Sequence, residues 1–240
     1  MNDTRQFHLL AGLATGHDAR SDDAIYQALW EAIVEHRLSP GARLPEDALA
    51  GAFGVSRTMI RRVLQRLALE QLVTLRTHRG AQITSPTPAE ARDVFRARRL
   101  LEGALLTEVV AHVTPEDLQA LTRIADQERH APRDQAIRLS ARFHTHLMAM
   151  AGNASLSEAL SQLISRTSLI IAVYGRGRAG CPCEHPALIP LLERRDLDAL
   201  QTWMHQHLTG IEASLDFTAS GDALPDFEHL FGHHREQNAS

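Results

Sequence analysis

EDALAGAFGVSRTMIRRVLQRLALEQLVTLRTHR, running from Glu46 to Arg79, holds two amphipathic segments separated by one tight turn. Ala48, Leu49, Ala52 and Phe53 give the first an apolar side. Gly54 ends it, because glycine enters the left-handed conformation without a Cβ clash. Ser56 can cap the second segment by accepting from an orphan amide in its first turn. Ile60, Val63, Leu64 and Leu67 then recur at i, i+3, i+4 and i+7, a stripe that must face a core. Arg57, Thr58, Arg61, Arg62 and Arg66 lie off that stripe. Two helices joined by a tight turn, the second rich in arginine from its start, form a helix-turn-helix pattern.

Leu72 to Arg76 and Ala81 to Thr84 read as two short strands, with Thr77, His78, Arg79 and Gly80 as the turn between them, which adds a wing. From Val55 to Arg79 there are six arginines against one acid, Glu70, although the whole chain is formally −4. Phosphate contact needs a local cationic surface, and the charge is segregated to supply one. A solvated basic helix beside an ordinary hairpin would show the same charge. The Gly-Val-Ser-Arg-Thr turn together with the wing favours DNA binding.

Leu38-Ser-Pro-Gly-Ala-Arg-Leu44, Leu49-Ala50, Phe53 to Leu64 and Arg79-Gly80-Ala81 together resemble the GntR family of bacterial transcription regulators over residues 24–85. The resemblance implies DNA contact by Arg43, Ser56, Arg57, Thr58, Arg61, Arg62, His78, Arg79 and Gly80. Met59 departs from the family, which often has proline there, and Arg62 stands where an acid is common. Both departures bear on the operator sequence, and neither removes the basic face.

At 240 residues the chain has room for a small DNA-binding domain and one larger domain. No apolar run approaches the ~20 residues of a membrane span, and the start lacks a basic-then-apolar signal pattern. Two cysteines, Cys181 and Cys183, make no disulfide framework. A cytoplasmic location is expected. Residues 1–20 read as a flexible arm, 21–85 as the winged helix-turn-helix domain, 86–220 as an all-helical domain and 221–240 as a tail. Within the DNA-binding domain a first helix is expected from Asp22 to His36, capped by Ser21 or Asp22. Ser85 to Pro88 reads as a stiff extended connector.

Beyond it six helices are expected, at Ala89–Val113, from Thr114, at Arg133–Ala151, Ser155–Val173, Glu184–Arg194 and Leu197–Phe217, an all-α bundle. The fold class is thus mostly α. Gly175 to Gly180 is a formal G-x-G-x-x-G, but a dinucleotide site needs a preceding strand and a following helix. A basic loop after a helix fits better. Cys181-Pro-Cys183-Glu-His185 lacks the usual zinc spacing, and a thiol pair near Arg176 and Arg178 leaves a redox role open.

His144, His185 and His207 stand on separate predicted helices. Phe143-His144, Gly152-Asn153, Glu184-His185-Pro and Met204-x-x-His207-Leu208, preceded by Arg98-Arg-Leu-Leu-Glu102, are similar to the FadR-type C-terminal domain called FCD, over about residues 89–220. That resemblance implies an effector-sensing domain whose metal-binding members use an Asp and three His. The matching positions are Ser140, His144, His185 and His207. Serine is a far poorer ligand than a carboxylate, so the expected Zn²⁺ or Ni²⁺ site is weakened, though three imidazoles suffice to hold an ion. The resemblance also directs Arg98 at an effector carboxylate, where a guanidinium forms two parallel bonds. The alternative for Arg98 is a helix-surface pair with Glu102, four residues on.

The function implied is a ligand-responsive transcription regulator, a repressor, sensing a small organic acid. Its partners are a pseudo-palindromic DNA operator, a carboxylate effector and a second copy of the chain, with no membrane. Two alternatives come from other classes: a metal-dependent hydrolase on the three-His site, and an architectural DNA binder without effector.

Overall fold

A computed structural model describes residues 21–34, 37–76, 80–175 and 184–218. The described residues up to Ser85 form one unit and those from Pro86 onward another. The N-terminal arm, the wing turn Thr77-His78-Arg79, the Cys181 and Cys183 loop and the C-terminal tail lie outside the described residues.

In the first unit Ser21 Oγ accepts from the Ala24 amide at 3.1 Å and opens α1 (Asp22–Val34). Ile25, Leu29, Ala32 and Ile33 are fully buried, as their spacing predicts, and Trp30 joins them. A two-residue strand, β1 (Arg43–Leu44), leads into α2 (Glu46–Phe53), which Gly54 ends at φ +67°. α3 (Arg57–Leu69) follows, capped by Ser56 Oγ accepting from the Met59 amide at 3.3 Å. A proline at 59 has no N–H, so this cap bond exists because methionine is there. Ile60, Val63, Leu64 and Leu67 are buried beneath it.

The wing strands are β2 (Val73–Arg76) and β3 (Gly80–Ile83), antiparallel, with β1 on the far side of β3. β1 was not expected, since two residues carry no periodicity. Gly80 sits where β3 meets it, at φ +78°, and a Cβ there would lie 2.3 Å from the Leu44 carbonyl oxygen.

In the second unit the expected connector is shorter than Ser85–Pro88. Thr87 and Glu90 form a reciprocal capping box, and Pro88 is already the first residue of α4 (Pro88–His112). Thr114 and Asp117 repeat the device at α5 (Pro115–His130). α6 (Arg133–Ala149) and α7 (Ala154–Tyr174) are separated by Gly152 at φ +68° and Asn153, the cap of α7. Leu169 to Tyr174 ends α7 as helix, so no strand precedes Gly175. The helix expected over Glu184–Arg194 is instead a 3-10 turn (His185–Ala187) and a short α8 (Ile189–Glu193), each with a proline at its start. α9 (Leu197–Ala213) stops before Phe217 because the following backbone leaves the helix. Leu215 bridges Gly175, and the Asp216 amide donates to the Tyr174 carbonyl at 2.8 Å. α4 packs against α6, α7 and α9, and α5 against α6 and α8. No described helix is long and apolar enough to cross a membrane.

Gly80→Ala should lower the stability of the winged unit by about 2 kcal/mol or more, since the strained φ and the Leu44 contact act together. Denaturant unfolding measures it; a wild-type midpoint would mean that β1 does not press on the wing.

Candidate functional site

The candidate DNA-contact residues that are described stand on α3, β1 and β3. Arg57, Thr58, Arg61 and Arg62 are exposed, as is Arg43 on β1. Ser56 Oγ is engaged in the helix cap, and Gly80 is a packing position between strands. His78 and Arg79 lie outside the described residues.

Each α3 arginine faces an acid at the start of a neighbouring helix. Arg57 Nε lies 3.0 Å from Asp47 Oδ1. Arg61 grips Glu46 through two bonds, Nε to Oε1 at 3.0 Å and Nη2 to Oε2 at 2.7 Å. Arg62 reaches Asp22 at 3.0 Å and Arg66 reaches Asp23 at 2.6 Å. Arg66 also lies over the Tyr26 ring, 3.7 Å from its centroid. Glu70 accepts from the Tyr26 hydroxyl at 2.6 Å. The hydrogen bonds from Arg61 hold the Glu46 carboxyl below the usual carboxylate range. Exposed pairs of this kind contribute little to stability, so phosphate oxygens can displace the acids. The four acids escape a sequence window drawn around the arginines alone, although acids in the first turns of α1 and α2 are visible as helix-start residues.

In the second unit five separate segments bring Arg98, Glu102, Glu128, Ser140, His144, His185 and His207 into the bundle interior, all of them buried. α4 supplies Arg98 and Glu102, α5 Glu128, α6 Ser140 and His144, the 3-10 turn His185, and α9 His207. Ser140 precedes His144 by one helical turn. The ligand-capable atoms of the three histidines lie within 4.8 Å of one another. His144 Nε2 is 3.2 Å from His185 Nε2 and 3.3 Å from His207 Nε2. Phe143 stacks on His185 with centroids 4.3 Å apart, and Trp203 stacks on His207 at 4.6 Å.

Carboxylates decide where the protons sit. His144 Nδ1 donates to Glu102 Oε2 at 2.7 Å, and His185 Nδ1 donates to Glu128 Oε2 at 2.6 Å. A neutral ring with its proton on Nδ1 presents Nε2 as a bare lone pair, and the Nε2 atoms of His144 and His185 face each other. Burial is the largest influence on Glu102 and opposes its charge, yet Arg98 and His144 together hold its carboxyl at about 2. Burial also pushes the His144 imidazole down to about 4, against the pull of Glu102. His207 lies well below its ordinary range for the same reason, with His185 and His144 adding to it. Its Nδ1 is buried with no hydrogen-bond partner.

This donor set fits a divalent ion. Zn–N bonds of about 2.0–2.1 Å at tetrahedral angles put nitrogens about 3.3 Å apart, close to two of the separations present. Opposed lone pairs also repel unless a cation lies between them. Sequence reasoning named the three histidines, Ser140 and Arg98, and weighed an Arg98–Glu102 pair. That pair is present, but in the interior and not on a helix surface, with Arg98 Nε 2.5 Å from Glu102 Oε1. Glu128 went unnoticed, because nothing in its local sequence marks it as a buried partner of a distant histidine.

Comparison with known proteins identifies both units. Residues 22–83 match the model of the bacterial regulatory proteins of the gntR family, and residues 93–210 match the FCD domain. The HTH-type transcriptional repressor RspR of Escherichia coli K12 is 26% identical over 199 residues, covering 80% of this chain and 87% of that protein. Two solved structures share the fold. One is a GntR-type transcriptional regulator from Rhodococcus sp. RHA1, with a TM-score of 0.69 at 20% identity over 80% of this chain and 95% of that one. The other is E. coli McbR/YncC, with 0.65 at 19% identity over 80% and 96%. Neither the hydrolase nor the effector-independent architectural binder finds support among them. With a GntR DNA-binding domain joined to an FCD domain, the chain belongs to the GntR family and is a ligand-responsive, DNA-binding transcription regulator, not an enzyme.

Proposed function

We propose that this regulator is a homodimeric repressor that senses a small carboxylate at a metal held by His144, His185 and His207. The observation that carries this is the convergence of buried imidazole nitrogens, with Glu102 and Glu128 holding the protons of two rings on Nδ1 and so leaving Nε2 to ligate. Held by these three imidazoles, Zn²⁺ or Ni²⁺ would supply positive charge and Lewis acidity for an effector oxygen. Arg98 offers the effector a second anchor, since its Nη2 is buried without a partner. Ser140 leaves the fourth protein position without a carboxylate and keeps the pocket more cationic. Both features suit an anion.

On the DNA side, Arg57 and Arg61 read base edges from the start of α3, while Arg43, Thr58, Arg62, His78, Arg79 and Gly80 act at the backbone or minor groove. Ser56 contributes by fixing the helix start. The FCD domains pair about a two-fold axis and present two winged helices to a pseudo-palindromic operator. An effector that weakens DNA binding must itself bind less tightly to the DNA-bound form.

Three outcomes follow. Arg57→Ala and Arg61→Ala should each cost about 1–3 kcal/mol of binding to an operator selected from random-sequence duplexes. Unchanged affinity and specificity in a mobility-shift assay would remove α3 as the reading helix. Ser140→Asp should bind Zn²⁺ about tenfold or more tighter, about 1.4 kcal/mol, and raise the melting temperature on metal addition. Equal metal content in untagged wild-type protein and the His144→Ala, His185→Ala, His207→Ala triple variant would end the metal reading.

The third concerns acid. An unfolded imidazole titrates near 6.5, whereas folded His144 stays neutral down to about 4. The unfolded state therefore takes the proton first. Stability of the metal-free protein should be full above about pH 6.5 and fall by roughly 3 kcal/mol towards pH 4 from His144 alone. Glu102 adds a further loss only as the pH drops through the range from 4.5 to about 2. Urea unfolding at about pH 7 and about pH 5 measures the first loss, and His144→Gln should reduce it. Identical midpoints at the two pH values would contradict the burial of neutral His144.

A further inference from the structure

Glu102 divides its two oxygens between partners with different tasks. Oε1 takes Arg98 Nε at 2.5 Å and Oε2 takes His144 Nδ1 at 2.7 Å. A carboxylate facing a guanidinium ordinarily meets it with both oxygens along one edge. Here that edge is half used, and Arg98 Nη2 is left buried and unpaired. The second oxygen is absent from Arg98 because it is on His144. Glu102 is fully buried and its charge is sustained by these same two groups, so it has no solvent to fall back on.

We propose that Glu102 is a positioning residue shared by the metal and anion halves of the pocket, so that each half is felt by the other through one carboxylate. This rests on the metal reading above. Glu102 keeps the His144 proton on Nδ1 and thereby commits Nε2 to a cation. The same side chain fixes the Arg98 plane while leaving Nη2 open to an effector oxygen. A cation on His144 Nε2 makes the Nδ1–H a stronger donor and draws Glu102 towards it. Arg98 then loses part of its internal counter-charge and holds an external anion more tightly. By reciprocity, an anion on Arg98 releases Glu102 to His144 and tightens the metal.

The chemistry of glutamine separates this sharing from a merely structural role. An amide has one acceptor oxygen, so in Glu102→Gln only one partner is served. The charged guanidinium wins it, and His144 loses its orienting acceptor.

Co²⁺ alone is the probe, titrated into the full-length, untagged, metal-stripped protein and followed by its visible absorption. Folded content is checked by circular dichroism. Glu102→Gln should weaken Co²⁺ about 10–100-fold in protein that remains folded. Adding Arg98→Met to Glu102→Gln frees the amide oxygen for His144 and should restore about tenfold of that loss. The same Arg98→Met beside native Glu102 should give a clearly smaller gain. Equal gains in both backgrounds would mean that Arg98 acts by charge alone, and that result, or wild-type Co²⁺ affinity in Glu102→Gln, overturns the sharing. If Glu102→Gln fails to fold, the double variant, which has no unpaired guanidinium, carries the comparison. It should then bind within about tenfold of Arg98→Met, and a larger deficit would overturn the proposal. Wild-type protein that takes up no Co²⁺ removes the metal reading itself, a result distinct from either failure of the coupling.

Discussion

Burying three imidazoles against one another obliges the helical unit to decide where every proton goes. In water a histidine meets both donor and acceptor partners freely; inside a bundle an unmatched nitrogen costs about 1–3 kcal/mol. Glu102 and Glu128 settle two of the three by accepting from Nδ1. The third, His207, is held by stacking on Trp203 and keeps an unmatched Nδ1. The path of the chain around this point follows from these partners. α4 brings Glu102, α5 brings Glu128, and the 3-10 turn places His185 between Glu128 and the Phe143 ring. Removing one member of such a buried charged set leaves the other stranded, at about 3–5 kcal/mol.

The winged unit uses the same charge pairing under opposite conditions. Arg57, Arg61, Arg62 and Arg66 all face carboxylates, but the first three are well exposed and water screens them. Pairs of this sort are worth about 0–1 kcal/mol and break readily. On the proposed DNA reading a phosphate backbone, dense in charge, would replace Asp22 and Asp47 at small cost, while the two-bond grip of Glu46 on Arg61 would resist longest. The acids hold the arginines in place, and on that reading they would compete with phosphate for them. In the effector domain burial makes the pairs persistent; in the DNA-binding domain exposure makes them exchangeable.

Much of this was legible in the sequence because it depends on local rules. The stripe Ile60, Val63, Leu64, Leu67 required a buried face, Gly54 a helix stop and Ser56 a cap, and each needs only its near neighbours. The three histidines came from a family resemblance in their order along the chain, not from periodicity. What escaped depends on distant partners. β1 exists because Leu44 pairs with Ala81, a contact that two residues cannot announce. Glu128 is an unremarkable acid in a polar helix until His185 arrives from 57 residues away. Glu184 to Arg194 was expected as one helix, and Pro186 and Pro190 divide it.

Ser140 is the position at which the pocket departs most from what a cation wants. A carboxylate there would bring negative charge into direct contact with a metal and fill a coordination position. Glu102 and Glu128 hold their charge one imidazole further out, where it favours a cation through His144 and His185 without occupying any of its faces. A pocket built this way would bind an ion less tightly and leave more of it available. Arg98, its Nη2 unpaired, adds a cationic edge to the same interior. On the metal reading, negative charge would thus sit outside the ligand shell and the place nearest the ion would be left for an anion from outside. That arrangement suits a sensor better than a structural metal site, because a structural site is closed by its own side chains.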